Sequence, residues 1–253
     1  ALSPVDVVRN SLARIEEVQP QLNGFCFVYP EEALEHARAA EAAAKKGEVW
    51  GPLHGVPIAI KDLTPTRDKR TTMGSHIYEH WVPDKDAAVV ARLIGAGAIM
   101  VGKTNTPEGG WKGDSGNRII GPTHNPWKPG STAGGSSGGS GAAVAAHLLP
   151  IAQGSDGAGS IRIPCSLGNL VGLKTSRGLI SHITPVDRQL RLAGVGGMAR
   201  TTEDLAAFLD AISDWPNDFF GEHRRALPPG LRVALSTENP ICATVPEYQA
   251  AAT

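Results

Sequence analysis

The chain has 253 residues, 41% hydrophobic and 19% charged, which supplies the apolar material for one large globular domain or two small ones and argues against disorder. Its 24 Lys plus Arg against 25 Asp plus Glu leave a net charge of −1. With no basic run or basic stripe interleaved with aromatics, direct nucleic-acid binding is not expected. No apolar run approaches the roughly 20 residues that cross a bilayer, and the N-terminal region lacks a signal-peptide pattern. Cys26, Cys165 and Cys242 are odd in number and far apart, which suggests neither a disulfide framework nor a metal site; a reducing cytoplasm is the simplest setting.

Ser3 followed by Pro4 opens a helix in which Val8, Leu12 and Ile15 recur at helical spacing, and Pro20 is expected to end it. A second helix spans Glu31 to Lys46, made compact by alanines and stopped by Gly47. Val56 to Lys61 reads as a short buried strand that ends, unusually, on a lysine. A helix from Asp86 to Ile94 precedes a strand at Ala98–Val101. Two loops rich in glycine and serine, Gly134–Gly141 and Gly154–Pro164, flank Ala142–Leu149, which reads as a buried helix. A Gly/Ser linker is polar throughout, so glycines around an apolar helix point instead to backbone shaped about a site. Leu149–Ala152, Leu170–Leu173 and Leu231–Leu235 are further strands, and Thr202-Glu203-Asp204 caps a helix through Leu205, Phe208, Leu209 and Ile212. The segment from Asp214 to Pro229 is polar and irregular. Alternating helices and apolar strands predict an α/β fold, a mixed central sheet with helices on both faces.

Two motifs compete for the chemistry. Gly97 to Thr104 fits a P-loop string, but its four intervening residues are apolar and form the only sensible strand of the region, which argues against a phosphate cradle. Gly135-Ser136-Ser137-Gly138-Gly139 fits a nucleophile elbow with Ser137 in the reactive place. An elbow follows a strand, whereas Asn125 to Gly130 contains two prolines, and His223, the obvious late histidine for a triad, lies in the irregular segment. His124 and His147 have no evident partner.

A third arrangement uses Lys61, Ser136 and Ser160. Gly55-Val56-Pro57-Ile58-Ala59-Ile60-Lys61-Asp62, Gly102-Lys103-Thr104-Asn105-Thr106-Pro107-Glu108, Gly121-Pro122-Thr123-His124-Asn125-Pro126-Trp127 and both serine loops stand in an order and at separations that strongly resemble the amidase signature family. The resemblance runs from about Ser3 to at least Asp210. It implies hydrolysis of a carboxylic amide through a serine acyl-enzyme, with Ser160 the nucleophile, Ser136 a bridging proton relay in a cis peptide and Lys61 the base. The intervals of 75 residues from Lys61 to Ser136 and 24 from Ser136 to Ser160 agree with the family pattern. It further implies an oxyanion hole from the backbone N–H groups of Gly157, Ala158, Gly159 and Ser160, with Asp156, Arg162 and Ser137 in support. No cofactor is implied. A small-molecule amide is the expected partner, and a homodimer is open.

Physical chemistry supplies the reason such a trio works. A lysine of pKa about 10.4 becomes a base near neutrality when burial or positive charge depresses it by three units, about 4 kcal/mol. Cys165 reads as packing. Gly157 and Ala158 stand where Thr or Ile and Gly are common in the family, and Lys174-Thr175-Ser176 replaces Lys-Pro-Thr. Family members are commonly far longer, so 1–253 reads as a single amidase-signature domain truncated at its C-terminus, with a core at 51–212. A Thr244-Val245-Pro246-Glu247 helix start just before Thr253 fits that reading. The alternatives are an amidotransferase subunit, which Ile163 in place of a family Gln disfavours, and a catalytically incomplete fragment.

Overall fold

The computed structural model describes residues 2–180, 193–215, 217–227, 229–232, 246, 249 and 250. The chain divides into two compact units, 1–223 and 224–253. All elements named below lie in the first; in the second, the described residues from 224 to 232 are turn and irregular backbone. The strand expected at 231–235 and the helix start at 244–247 fall largely outside the described residues.

Helix α1 (Pro4–Leu22) starts as the sequence dictates, Ser3 Oγ accepting from Val5 N–H at 3.1 Å. It does not stop at Pro20, which lies inside it. The last turn is held from beyond: Asn23, in the left-handed region, donates its N–H to Gln19 O, and the Gln19 side chain bonds Gly24 and Phe25 backbone. That clamp leads directly into β1 (Phe25–Val28), a strand not foreseen. Helix α2 (Pro30–Lys45) presents Ala33, Ala37, Ala40 and Ala43 inward, so it lies close to α1.

The core strands are β2 (Pro57–Lys61), β3 (Ile99–Thr104), reached through α3 (Ala88–Gly95), and β8 (Ile151–Asp156). Between β3 and β8 lie two small antiparallel ladders, β4 (Gly116–Asn117) with β5 (Gly121–Pro122) and β6 (His124–Asn125) with β7 (Lys128–Thr132). Helix α4 (Gly138–Ala145) precedes β8, and α5 (Arg162–Gly168) follows it. Then come β9 (Val171–Gly172), β10 (Gly194–Ala199), α6 (Thr202–Ile212), capped by Thr201, and α7 (Phe219–Glu222) in the segment expected to be irregular.

The six-stranded sheet runs β1-β3-β2-β8-β10-β9. Its centre, β3-β2-β8, is parallel and its flanks antiparallel, the mixed sheet expected from the sequence. Alternation assigns its faces: Ile58, Ile60 and Met100 pack with α3 and α6, whereas Ala59, Ile99 and Val101 pack with α1, α2 and α4. Both faces are thus covered by helices, and the three parallel strands deliver their C-terminal residues, Lys61, Thr104 and Asp156, to one edge.

Helix α4 starts inside the first serine loop, four residues earlier than its apolar run suggests. Glycine in a helix costs up to about 1 kcal/mol relative to alanine. Here close approach explains it, because a Cβ on Gly139 would lie 2.4 Å from Asn105 N and 2.5 Å from Gly24 O.

Phe208 of α6 is fully buried against β10, where a Cβ on Gly197 would already lie 2.6 Å from its ring. Phe208→Ala is expected to lower the unfolding free energy by about 3–5 kcal/mol. Ile77→Ala, at a side chain that is 85% exposed, should change it by less than about 0.5 kcal/mol. Urea titration of both variants checks the assignment of the core.

Candidate active site

Lys61 closes β2 with both neighbouring strands beside it, and its side chain is fully buried. Its Nζ lies 2.7 Å from Ser136 Oγ, 3.1 Å from Ser155 Oγ and 3.5 Å from Ser155 O. Its backbone N–H donates to Gln153 Oε1 at 3.0 Å, which pins the strand end. Burial drives the ammonium's pKa down from 10.5 to about 7, against an opposing pull from Asp156. A neutral amine is therefore accessible near pH 7, within hydrogen-bond reach of a serine hydroxyl.

Ser136 reaches Lys61 through backbone of unusual shape. The Gly135–Ser136 peptide is cis, and Gly134 has φ +78°. No side chain fits at position 135, where a Cβ would lie 2.0 Å from Asp114 O. The Ser115 hydroxyl donates to Ser136 O at 3.3 Å and accepts from Gly138 N–H at 2.8 Å, so it fastens the turn into α4.

Ser137 joins the two serine loops. Its N–H donates to Ser160 O at 3.1 Å and its hydroxyl donates to Ser155 O at 3.1 Å, while Ser155 N–H donates back to Ser137 Oγ at 3.3 Å. That geometry suits a tie between loops. Ser160 is thereby held beside the residue that follows Ser136, with its side chain partly accessible.

The Asp156 side chain is fully buried and organises the second loop. Its carboxylate accepts from the N–H groups of Gly159 (2.6 Å), Ile161 (3.1 Å) and Arg162 (3.3 Å), and from Arg162 Nε (2.9 Å) and Nη2 (3.0 Å). Burial raises its pKa, but these donors outweigh burial and hold it at about 2. The Gly159 N–H, one of the four expected oxyanion donors, thus donates to Asp156. Gly159 itself has φ +121°, which favours glycine.

The competing motifs resolve on geometry. Gly97 to Thr104 ends in β3, buried throughout, and Lys103 ion-pairs inside the protein instead of facing a phosphate. His223 is exposed and bonds locally to Phe220 O at 2.6 Å. Cys165 packs with Ile161 and Met198, and burial pushes its thiol up to about 12, away from nucleophilic use. Sequence reasoning missed Gln153 and Ser155. Their signal was present, two polar residues at alternate positions after Ile151-Ala152, and so on one face of the strand. A cavity of about 500 Å³ opens beside Ser115 and is lined by Glu108, Lys112, Asp114, Arg118 and His124; Lys61, Ser136 and Ser160 do not line it.

A family model described as Amidase matches residues 6–253. The chain belongs to the amidase signature family. An acylamidase of Rhodococcus erythropolis is 44% identical over 212 residues, covering 84% of this chain and 44% of that protein. A glutamyl-tRNA(Gln) amidotransferase subunit of Azotobacter vinelandii is 42% identical over 247 residues, covering 93% of this chain and 51% of that protein. Among solved structures, a bacterial aryl acylamidase of the amidase signature family superposes with TM-score 0.80 at 30% identity, over 93% of this chain and 48% of that one. This chain therefore spans about half the length of the relatives it matches.

The depressed lysine makes stability depend on pH. Between about 7 and 10.5 the unfolded chain binds one more proton than the native state at Lys61, so native stability rises with pH by up to about 1.4 kcal/mol per unit. Lys61→Met lacks this contribution. In urea titrations at pH 7 and pH 10, the native protein should gain on the variant as pH rises; a constant difference would show that Lys61 is charged in the native state.

Proposed function

We propose that this chain carries amide hydrolysis through a serine acyl-enzyme, with Lys61 as base, Ser136 as relay and Ser160 as nucleophile. The observation that carries the proposal is the contact between a fully buried lysine of pKa about 7 and the Ser136 hydroxyl. Neutral Lys61 takes the Ser136 proton as Ser136 takes the Ser160 proton, and Ser160 Oγ forms a bond to the amide carbonyl carbon. The negative charge that develops on the carbonyl oxygen is met by N–H groups of Gly157, Ala158 and Ser160. Collapse breaks the C–N bond, and the proton returns through Ser136 to the leaving amine or ammonia. Water, deprotonated through the same relay, then cleaves the acyl ester.

The named relatives divide between acylamidases and amidotransferase subunits. Ile163 favours a simple amide: its side chain lies against Gly159 and Gly134, an apolar wall beside both serine loops with no amide group for glutamine. The Asp156–Arg162 pair and Ser137 act by holding the Ser160 loop, outside the proton path.

Fluorophosphonate labelling with peptide mapping tests the assignment without a known substrate. One adduct on Ser160 is expected. Its rate should fall as pH drops through about 7, since protonated Lys61 cannot accept the relay proton. Ser136→Ala should slow labelling by about 10²–10⁴-fold, the range of a general-base contribution. Ser137→Ala, which removes hydrogen bonds of about 1 kcal/mol each, should slow it far less. Labelling at Ser137, or a rate independent of Lys61→Ala, contradicts the assignment.

A further inference from the structure

Two fully buried charges have no part in the relay. Asp62, next to Lys61, and Lys103, in the P-loop-like string, lie on adjacent strand ends with Asp62 Oδ1 3.4 Å from Lys103 Nζ. We propose that this pair positions the relay by locking the loops that leave β2 and β3, and through them the glycine turn that lies against Ser136. The proposal rests on Ser136 being the relay.

The connection is continuous. Lys103 Nζ donates to Thr64 O at 2.9 Å and Thr71 Oγ1 at 2.7 Å. Asp62 Oδ2 accepts from the Thr72 N–H at 3.0 Å and from the Thr72 hydroxyl. Together they fold residues 62–75 back onto the strand ends, where Asp62 N–H donates to Thr104 O at 3.0 Å and Met73 N–H to Asp62 O at 3.1 Å.

That loop grips the one after β3. Gly109 N–H donates to Met73 O at 2.8 Å, Ser75 Oγ donates to Glu108 Oε1 at 2.7 Å, and a Cβ on Gly74 would lie 2.9 Å from Thr106 O. The next residue, Gly110, is so near the site that a Cβ there would lie 3.3 Å from Ser136 Oγ.

Stability alone does not explain the pair. Removing two charges from water offsets most of their attraction, and an apolar pair of similar volume is often as stable. What an apolar pair lacks is directional bonds to Thr64, Thr71 and Thr72, and those bonds shape the loop.

The test compares Asp62→Asn, Lys103→Met and the double variant in the full chain. Three quantities are read: the urea midpoint, hydrogen exchange at the Gly109 amide and the fluorophosphonate rate at Ser160. Each single change strands a buried charge or polar partner and lowers the midpoint. The double change is expected to recover most of the midpoint, while Gly109 exchanges about tenfold faster and labelling slows about 10²-fold. Wild-type exchange and labelling in the double variant overturn the proposal.

Thr71→Val, which removes one acceptor of Lys103 and the hydroxyl's bond to Lys69 O at 3.2 Å, provides a milder arm. It should slow labelling several-fold, with Thr71→Ser restoring the rate; equal rates for Val and Ser contradict a positioning role. Failure of the unsubstituted protein to label would overturn the Ser160 assignment, whereas Gly109 exchange decides the loop lock by itself.

Discussion

The structure depends on one arrangement, a lysine amine with no access to water at the end of a strand that has a parallel neighbour on each side. A charged ammonium there is disfavoured by desolvation, and the alternative is a neutral amine with polar neighbours. Ser136 and Ser155 are those neighbours. Each comes from a different segment, one preceding α4 and one from β8, so satisfying the amine requires both segments to converge at the C-terminal edge of the parallel strands. An amine of near-neutral pKa is then a consequence of the sheet, without an added charge to depress it.

Convergence explains the distribution of glycine better than flexibility does. Gly135 passes against Asp114, Gly139 against Asn105 and Gly24, and Gly154 beneath Ser137 and Met198, each at distances that leave no room for a Cβ without displacement. The first two are contacts between backbones. Helix α4 thereby rests on the strand ends closely enough for Ser140 to bond both Thr104 Oγ1 and Gln153 O. The cluster of hydroxyls around Lys61 is thus fixed by packing on all sides, the preorganisation that a proton relay requires.

Apolar runs at Val56–Lys61 and Ala98–Val101, separated by a helix, were enough to read the layered α/β architecture. A lysine at the end of such a run marked the site, whereas Ser136 and Ser160 were singled out only through the family resemblance, since neither loop separates its serines by pattern. The α4 start was hidden because Gly138–Gly141 has the composition of a turn, and its helical form comes from tertiary approach. Strand β10 was hidden likewise: Gly194-Val195-Gly196-Gly197-Met198-Ala199 is poor in the β-branched and aromatic residues that mark a strand and is defined by pairing with β8. Pro20 misled because the Gln19 clamp acts from the residues beyond it. The Asp62–Lys103 pair could not be read at all, as it exists only through the register of two strands.

The direct measurement is the titration of Lys61 itself, by NMR of a chain carrying ¹³C at lysine Cε, with Lys61→Met assigning the resonance. A midpoint near 7, well below the ordinary lysine value of about 10.4, is what a buried neutral amine beside Ser136 requires. A midpoint at about 10, the ordinary lysine range, would mean that Lys61 is an ammonium at neutral pH, and the site would then have no base for the serine relay.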